Sequence, residues 1–278
     1  MSYETITYEV PAPAVARIML DRPDKANAQD RQLLYELNAA FDVAVADDDI
    51  KVIILGGQGK HFSSGHDLRD RTSFDDYDTV GPVGGFGKPG AEGHMAAEEE
   101  IYLGFCNRWR VLPKPTIAQV QGKVIAGGLM LMWPCDLVVA SEDAQFSDPV
   151  VAFGVNGVEY FAHAFELGPR RAKELLFTGE AMGAEEAKAI GMVNRVVPRD
   201  ELEAETLALA TKIASRPSMG LKLAKMSVNQ SVDAMGFPLA LQSAFGLQHV
   251  GHAHNQWVHG SLVDPAGMKV IRDDARSS

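Results

Sequence analysis

Two glycine-containing turns hold the residues this chain could use to stabilise a developing oxyanion. The first, KHFSSGHDL at residues 60–68, follows the apolar run KVIIL; the second, QGKVIAGGLML at residues 121–131, follows TIAQV. Turns at the carboxyl ends of strands in α/β proteins are where ligand crevices open. Gly127 and Gly128 open a short helical stretch, so the first N–H groups there have no partner within the helix and lie at its positive end. If His66 and Gly127 aim their N–H groups at one point, they form an oxyanion hole able to hold an enolate or a thioester oxyanion. The same glycines also suit plain tight turns, and spacing alone does not choose.

Proton-moving side chains near these turns are few. Glu159, in GVNGVEYF, would have its pKa raised toward a useful range by an apolar pocket; otherwise it is a carboxylate at a helix start. Tyr160 beside it suits the core or an interface as well as a pocket. Asp148 reads as a turn cap. His66 adds an imidazole to its backbone amide. His249, His252, His254 and His259 crowd the C-terminal part, but no cysteine accompanies them and their spacing fits no zinc frame. A polar helix at a subunit interface is expected there, with no metal and no cofactor.

Nucleotide-binding motifs built on the glycines after KVIIL fail on spacing. A G-x-G-x-x-G motif starting at Gly57 needs glycine where Phe62 stands. A Walker loop ending in Gly59 and Lys60 needs glycine at Ile54 and a hydroxyl at His61. No G-x-S-x-G elbow occurs, which argues against an α/β-hydrolase.

The elements that must position these residues alternate. β-rich runs at 5–10 and 14–20 are split by Pro11 and Pro13, as in a hairpin. A helix capped by Asp30 puts Leu33, Leu34, Leu37, Phe41 and Ala44 on one face. KVIIL, TIAQV and DLVVA read as buried parallel strands, the first broken by Gly56 and Gly57. Residues 70–93 are too rich in glycine and acid to pack and read as a long mobile loop, followed by a helix from about residue 96 to 110. Strand–helix alternation runs to VNRVV, and helices alone follow Asp200. The class is therefore α/β, with residues 1–199 as a core bearing the site and 200–278 as a helical appendage.

At 278 residues the chain can bury a full core. Its net charge of −11 gives no nucleic-acid footprint. Two isolated cysteines, Cys106 and Cys135, fit a reducing compartment. The first residues carry no secretory pattern, and no stretch reaches the roughly 18 apolar residues of a membrane span. A cytoplasmic protein is expected.

Five motifs in order, DRPDKANA, HFSSGHDL, LPKPTIAQVQGKVIAGGLMLMWPCDLVVAS, AQFSDP and RRAKELLFTGEAMGAEEAKAIGMVNRVV, resemble the enoyl-CoA hydratase/isomerase family, the crotonase superfamily. The resemblance runs in register over residues 3–230 and is weakest at 72–95 and in the C-terminal helices. It implies a spiral core of repeated ββα turns, a C-terminal trimerisation region, a homotrimer or dimer of trimers, and an acyl-CoA substrate, so that coenzyme A enters as part of the substrate. By position it implies His66 and Gly127 as oxyanion-hole donors. It implies coenzyme A contacts at Lys25, Ala26, Ala28, Ser64, Asp67, Leu68 and Arg69, although Lys25 and Arg69 also read as solvated surface cations.

Both glutamates of typical hydratases are missing. Met130 stands three residues beyond the second glycine of the hole, and Val150 follows Pro149 in AQFSDP. Hydration needs one group to activate water and another to protonate the α-carbon, and neither a thioether nor an isopropyl group moves protons. Met130, Val150 and Tyr160 are therefore expected to line the acyl pocket, with Glu159 or His66 left for proton transfer. The resulting expectation is a lyase or isomerase of this family. Its rivals are a non-catalytic acyl-CoA binder and a CoA-ester decarboxylase or hydrolase using His66 or Glu159. An all-apolar acyl pocket would favour the binder; retained proton-transfer groups favour an enzyme.

Overall fold

The KVIIL run lies near the middle of a six-stranded sheet, and its β-branched residues are buried on both faces. In the computed structural model, which describes residues 3–70 and 73–277 with side chains to residue 274, β1 (Ile6–Ala12) and β2 (Val15–Leu20) form the antiparallel hairpin expected from the two prolines. From β2 the sheet continues in parallel through β3 (Val52–Gly57), β4 (Thr116–Val120), β6 (Leu137–Ser141) and β9 (Arg195–Val197). A smaller sheet joins β5 (Lys123–Ile125), β7 (Gln145–Ser147) and β8 (Met182–Gly183).

Period-two alternation divides the core. Val52 and Ile54 of β3 face one side with Val15, Ile117 and Val139, where α8 (Leu202–Ala214) covers them with Leu202, Ala210 and Ala214. Ile53 and Leu55 face the other side, toward Leu33, Leu37 and Phe41 of α1 (Arg31–Ala46). Asp30 caps α1, its side chain accepting from the Leu33 N–H at 2.9 Å.

The remaining helices are α2 (Ala91–Glu98), α3 (Phe105–Arg110), α4 (Gly127–Met132), α5 (His163–Leu167), α6 (Pro169–Thr178) and α7 (Ala184–Ala189), then α9 (Ser218–Ala234), α10 (Phe237–His259) and α11 (Gly267–Ser277). Among the described residues no helix is long and apolar enough to cross a membrane.

Three expectations are corrected. Gly56 and Gly57 extend β3 rather than break it, because a Cβ at Gly56 would lie 2.7 Å from Met19 Sδ and one at Gly57 2.7 Å from the Phe62 carbonyl. The helix after the glycine-rich loop starts at Ala91, and between α2 and α3 it widens into a π-helix, Glu99–Gly104. The loop is also more tied down than its composition suggests; its residues 71–72 lie outside the described residues. Tyr77 stacks on Tyr35 at 4.5 Å, Phe74 stacks on Phe86 at 4.5 Å, and the buried Glu100 carboxylate accepts from the Val80 and Gly81 N–H groups at 2.6 and 2.9 Å.

Candidate active site

Two turns and a short antiparallel-free junction bring the expected amides together. Gln29 donates its N–H to the Gly65 carbonyl and accepts from Asp67, each at 2.8 Å. The intervening His66 N–H therefore faces away from Gln29. On the second turn Ala126 is held at φ 47° while its N–H binds the Ser147 carbonyl at 2.9 Å. Positive φ at an alanine is a strained conformation of the kind that collects at functional sites, and it sets the direction of the next amide, Gly127. The turns touch: a Cβ at Gly65 would lie 3.2 Å from the Gly127 nitrogen. Among the described residues neither the His66 nor the Gly127 N–H has an acceptor.

The His66 imidazole lies directly over Gly127, where a Cβ would collide with its Cδ2 and Nε2 atoms. That contact, more than any turn, requires glycine here. The other ring face stacks on Tyr102, with centroids 3.9 Å apart. Burial pushes the imidazole down from its ordinary value to about 4, so the ring is neutral near pH 7.

Glu159 completes the group. Its Oε2 is 3.6 Å from His66 Nε2 and has no hydrogen-bond partner, while Oε1 accepts from Gln248 Nε2 of α10 at 2.9 Å. Burial, with the Glu98 carboxylate adding to it, pushes Glu159 well above the ordinary carboxylate range. A carboxyl with a raised pKa thus faces the imidazole beside two unpaired amides. Leaving buried polar atoms unpaired costs about 1–3 kcal/mol each, which favours a ligand that satisfies them.

Asp148 holds this loop in place. It is fully buried, accepts from the Val158 N–H at 3.0 Å and meets His163 Nε2 at 2.8 Å. Its side chain does not cap the 3₁₀ turn that follows it but ties that turn to the Val158 and His163 segment. Tyr160 points away from the His66–Glu159 pair into the core, its ring against Phe237 and its hydroxyl buried without a partner. Met130 is fully buried, and its carbonyl accepts from Cys106 Sγ at 3.2 Å; Val150 is half-buried in the 3₁₀ turn Pro149–Phe153.

The predicted coenzyme A contacts gather around one clamp. Ala26 and Asn27 adopt positive φ, 50° and 52°, which lets the Ala26 carbonyl accept from the Ser64 N–H at 2.9 Å. Arg22, nearly buried, reaches Asp30 at 2.7 Å, Asp67 at 3.0 Å and the Ala28 carbonyl. Against the upward push of burial, the Arg69 amide and the Arg22 guanidinium hold the Asp67 carboxyl below its ordinary range. Asp67 thus serves the turn. Lys25, Leu68 and Arg69 form the exposed rim.

Reading the sequence missed Arg22, Gln29, Glu98, Tyr102 and Gln248. A run of three glutamates gives no sign that its first and third members are buried, and the π-helix that turns Tyr102 onto His66 has no sequence period. The C-terminal histidines also divide: His254 and His259 are exposed as expected, but His249 and His252 turn inward.

A family profile described as Enoyl-CoA hydratase/isomerase matches residues 12–82 and 87–257. The Mycobacterium tuberculosis protein EchA13, which carries a provisional enoyl-CoA hydratase name, is 48% identical over 99% of this chain and 89% of its own length. The chain belongs to the enoyl-CoA hydratase/isomerase family. Among solved crotonase structures, one from Mycobacterium smegmatis described as a probable enoyl-CoA hydratase superposes with a TM-score of 0.86 at 50% identity, covering 95% of this chain and all of that one. An enoyl-CoA hydratase/isomerase from Xanthobacter autotrophicus Py2 gives 0.82 at 33% identity over 99% of this chain and 96% of its own. The family is an enzyme family acting on acyl-CoA, and the two sheets followed by helices are the crotonase fold.

Proposed function

We propose that this crotonase binds an acyl-CoA thioester with its carbonyl oxygen between the His66 and Gly127 N–H groups, and that the Glu159 carboxylate takes a proton from the acyl chain to form the enolate held there and returns it to a carbon of that enolate. The carrying observation is the position of the Glu159 carboxyl: buried, unpartnered at Oε2, and 3.6 Å from the imidazole that covers Gly127. Two preorganised donors stabilise the charge that develops on the thioester oxygen. A carboxyl with a raised pKa is matched to giving up and regaining a proton near neutral pH. Gln248 orients it through Oε1.

With Met130 and Val150 in place of the usual pair, one carboxyl must serve the reaction. One-base chemistry fits a proton shift between two carbons of an enoyl-CoA better than addition of water by two carboxylates. The polar lining of His66, Glu159 and Gln248 counts against the purely binding alternative. Coenzyme A would lie along Lys25, Ala26, Ala28, Ser64, Asp67, Leu68 and Arg69, with the two exposed cations near its phosphates. Mass spectrometry of enoyl-, β-hydroxyacyl- and malonyl-CoA esters incubated with the protein tests the class of reaction. Isomerised enoyl-CoA supports this reading; loss of carbon dioxide from the malonyl ester alone would move it to the decarboxylases.

The assembly is proposed to be a trimer or a dimer of trimers. Leu239, Leu247, Val250 and Trp257 of α10 are all more than half exposed and recur at helical spacing, and an apolar stripe of that kind calls for a cover.

A further inference from the structure

Glu98 stands at the end of α2 and meets three histidines. Its Oε1 is 2.9 Å from His94 Nε2 and 3.6 Å from His252 Nε2, and its Oε2 is 3.5 Å from His249 Nε2. His94 is one turn back on α2; His249 and His252 come from α10. One ligand atom each from His94, Glu98 and His249 lie within 4.8 Å of one another. Glu98, His249 and His252 are all less than a tenth exposed, and His94 is half-buried.

We propose that His94, Glu98 and His249 form a binding site for a divalent transition-metal ion of the zinc type, clamping α2 to α10, with His252 beside the same carboxylate to complete it. Ligand atoms about 2.0–2.1 Å from a tetrahedral ion stand roughly 3.3–3.4 Å apart, and the distances from Glu98 to the three rings bracket that edge. The 2.9 Å contact from His94 to Glu98 Oε1 does not account for the rest of the cluster: Glu98 Oε2 and the Nε2 atoms of His249 and His252 are buried without a hydrogen-bond partner. His252 Nδ1 is 2.7 Å from the Leu262 carbonyl, which can only accept. Nδ1 therefore carries a proton, which leaves Nε2, 3.6 Å from Glu98 Oε1, as the ring's ligand atom. A backbone carbonyl behind a ligating imidazole is the usual support for a metal-bound histidine. Three imidazoles and a carboxylate, with no thiolate, suit zinc and its first-row neighbours rather than calcium or magnesium. The histidine spacing on α10 matched no zinc frame because half of the ligand set lies far back on α2.

This site stands apart from the acyl-CoA assignment, and its test needs no turnover. The full-length protein, stripped with a chelator, is titrated with Zn²⁺ by calorimetry and with Co²⁺ by visible absorption. The expected result is one Zn²⁺ per chain, the strong visible bands of tetrahedral Co²⁺, and a higher Tm with Zn²⁺ present. His94→Asn changes a half-exposed side chain and Glu98→Gln an isosteric one; each should weaken Zn²⁺ binding at least tenfold, with unchanged circular dichroism in the metal-free protein for His94→Asn. No saturable uptake by the wild type, or equal uptake by folded His94→Asn, overturns the site. Octahedral Co²⁺ bands overturn the four-ligand arrangement.

Discussion

Glu159 and His66 face each other with pKa values shifted in opposite directions by burial, and that has consequences for stability as well as turnover. Burial raises the Glu159 carboxyl, so the native protein holds a proton that the unfolded chain releases above the ordinary carboxylate range. The stabilisation is present at acid pH and fades as pH rises through the native pKa. Glu159→Gln cannot ionise and can still accept from Gln248, so the variant should gain Tm relative to wild type as pH is raised; thermal unfolding across pH checks this. His66 has the opposite sign. Its pKa falls from 6.5 to about 4 on folding, so its contribution is intact above 6.5 and lost as pH drops toward 4. His66→Gln should flatten that part of the acid limb. A variant whose profile follows the wild type there would show that the ring is not desolvated. Much of this pair was legible in the sequence: both residues stood out, one by its motif and one as the carboxylate in 150–160. Their shifted pKa values were not, because burial by residues of distant elements sets them.

The elements that set the pair are held by buried polar side chains at their junctions. Glu100 of the π-helix takes the N–H groups of Val80 and Gly81 and lies 3.2 Å from the Tyr35 hydroxyl. Removing it in Glu100→Ala leaves those donors unpaired, at about 1–3 kcal/mol for each buried one. Hydrogen exchange over residues 73–90 should then accelerate while β2, β3 and β4 keep wild-type protection; unchanged exchange in the loop would mean that its aromatic contacts hold it unaided. Arg22 joins the turns at 22–30 and 63–70. Arg22→Ala strands Asp67 and Asp30, and breaking a buried pair costs roughly 3–5 kcal/mol. A lower Tm and weaker CoA-thioester binding are expected together, and calorimetry with an acyl-CoA separates the two losses. Strands and α1 were readable because alternation and capping are local. The ordered loop was not, because what fixes it is Glu100 of the following π-helix, Tyr35 of α1, and Arg31, whose guanidinium lies 4.4 Å from the Phe74 ring centroid.

At the scale of the whole molecule, the crotonase fold followed from ordered motifs that span most of the chain, whereas composition alone gave only an α/β class. The exposed stripe on α10 is left uncovered by a single chain. Light scattering should find a trimer or hexamer, and Leu247→Glu with Val250→Glu should shift it toward monomer. A stable wild-type monomer would leave the stripe without its proposed cover. Gln248 lies on that same helix, so dissociation is also expected to loosen its hold on Glu159 and lower turnover. How α10 both contacts the pocket and presents an apolar face could not be read from its sequence, where histidines and hydrophobic residues are interleaved.

The most direct test follows protons. Enoyl-CoA esters incubated with the protein in deuterium oxide are recovered and weighed by mass spectrometry, wild type against Glu159→Gln, with CoA-ester affinity measured alongside. The account predicts deuterium in the acyl group with the wild type and a rate lower by about 10²-fold or more in the variant, at nearly unchanged affinity. Equal exchange by both proteins, or none by the wild type with any ester it binds, would contradict it.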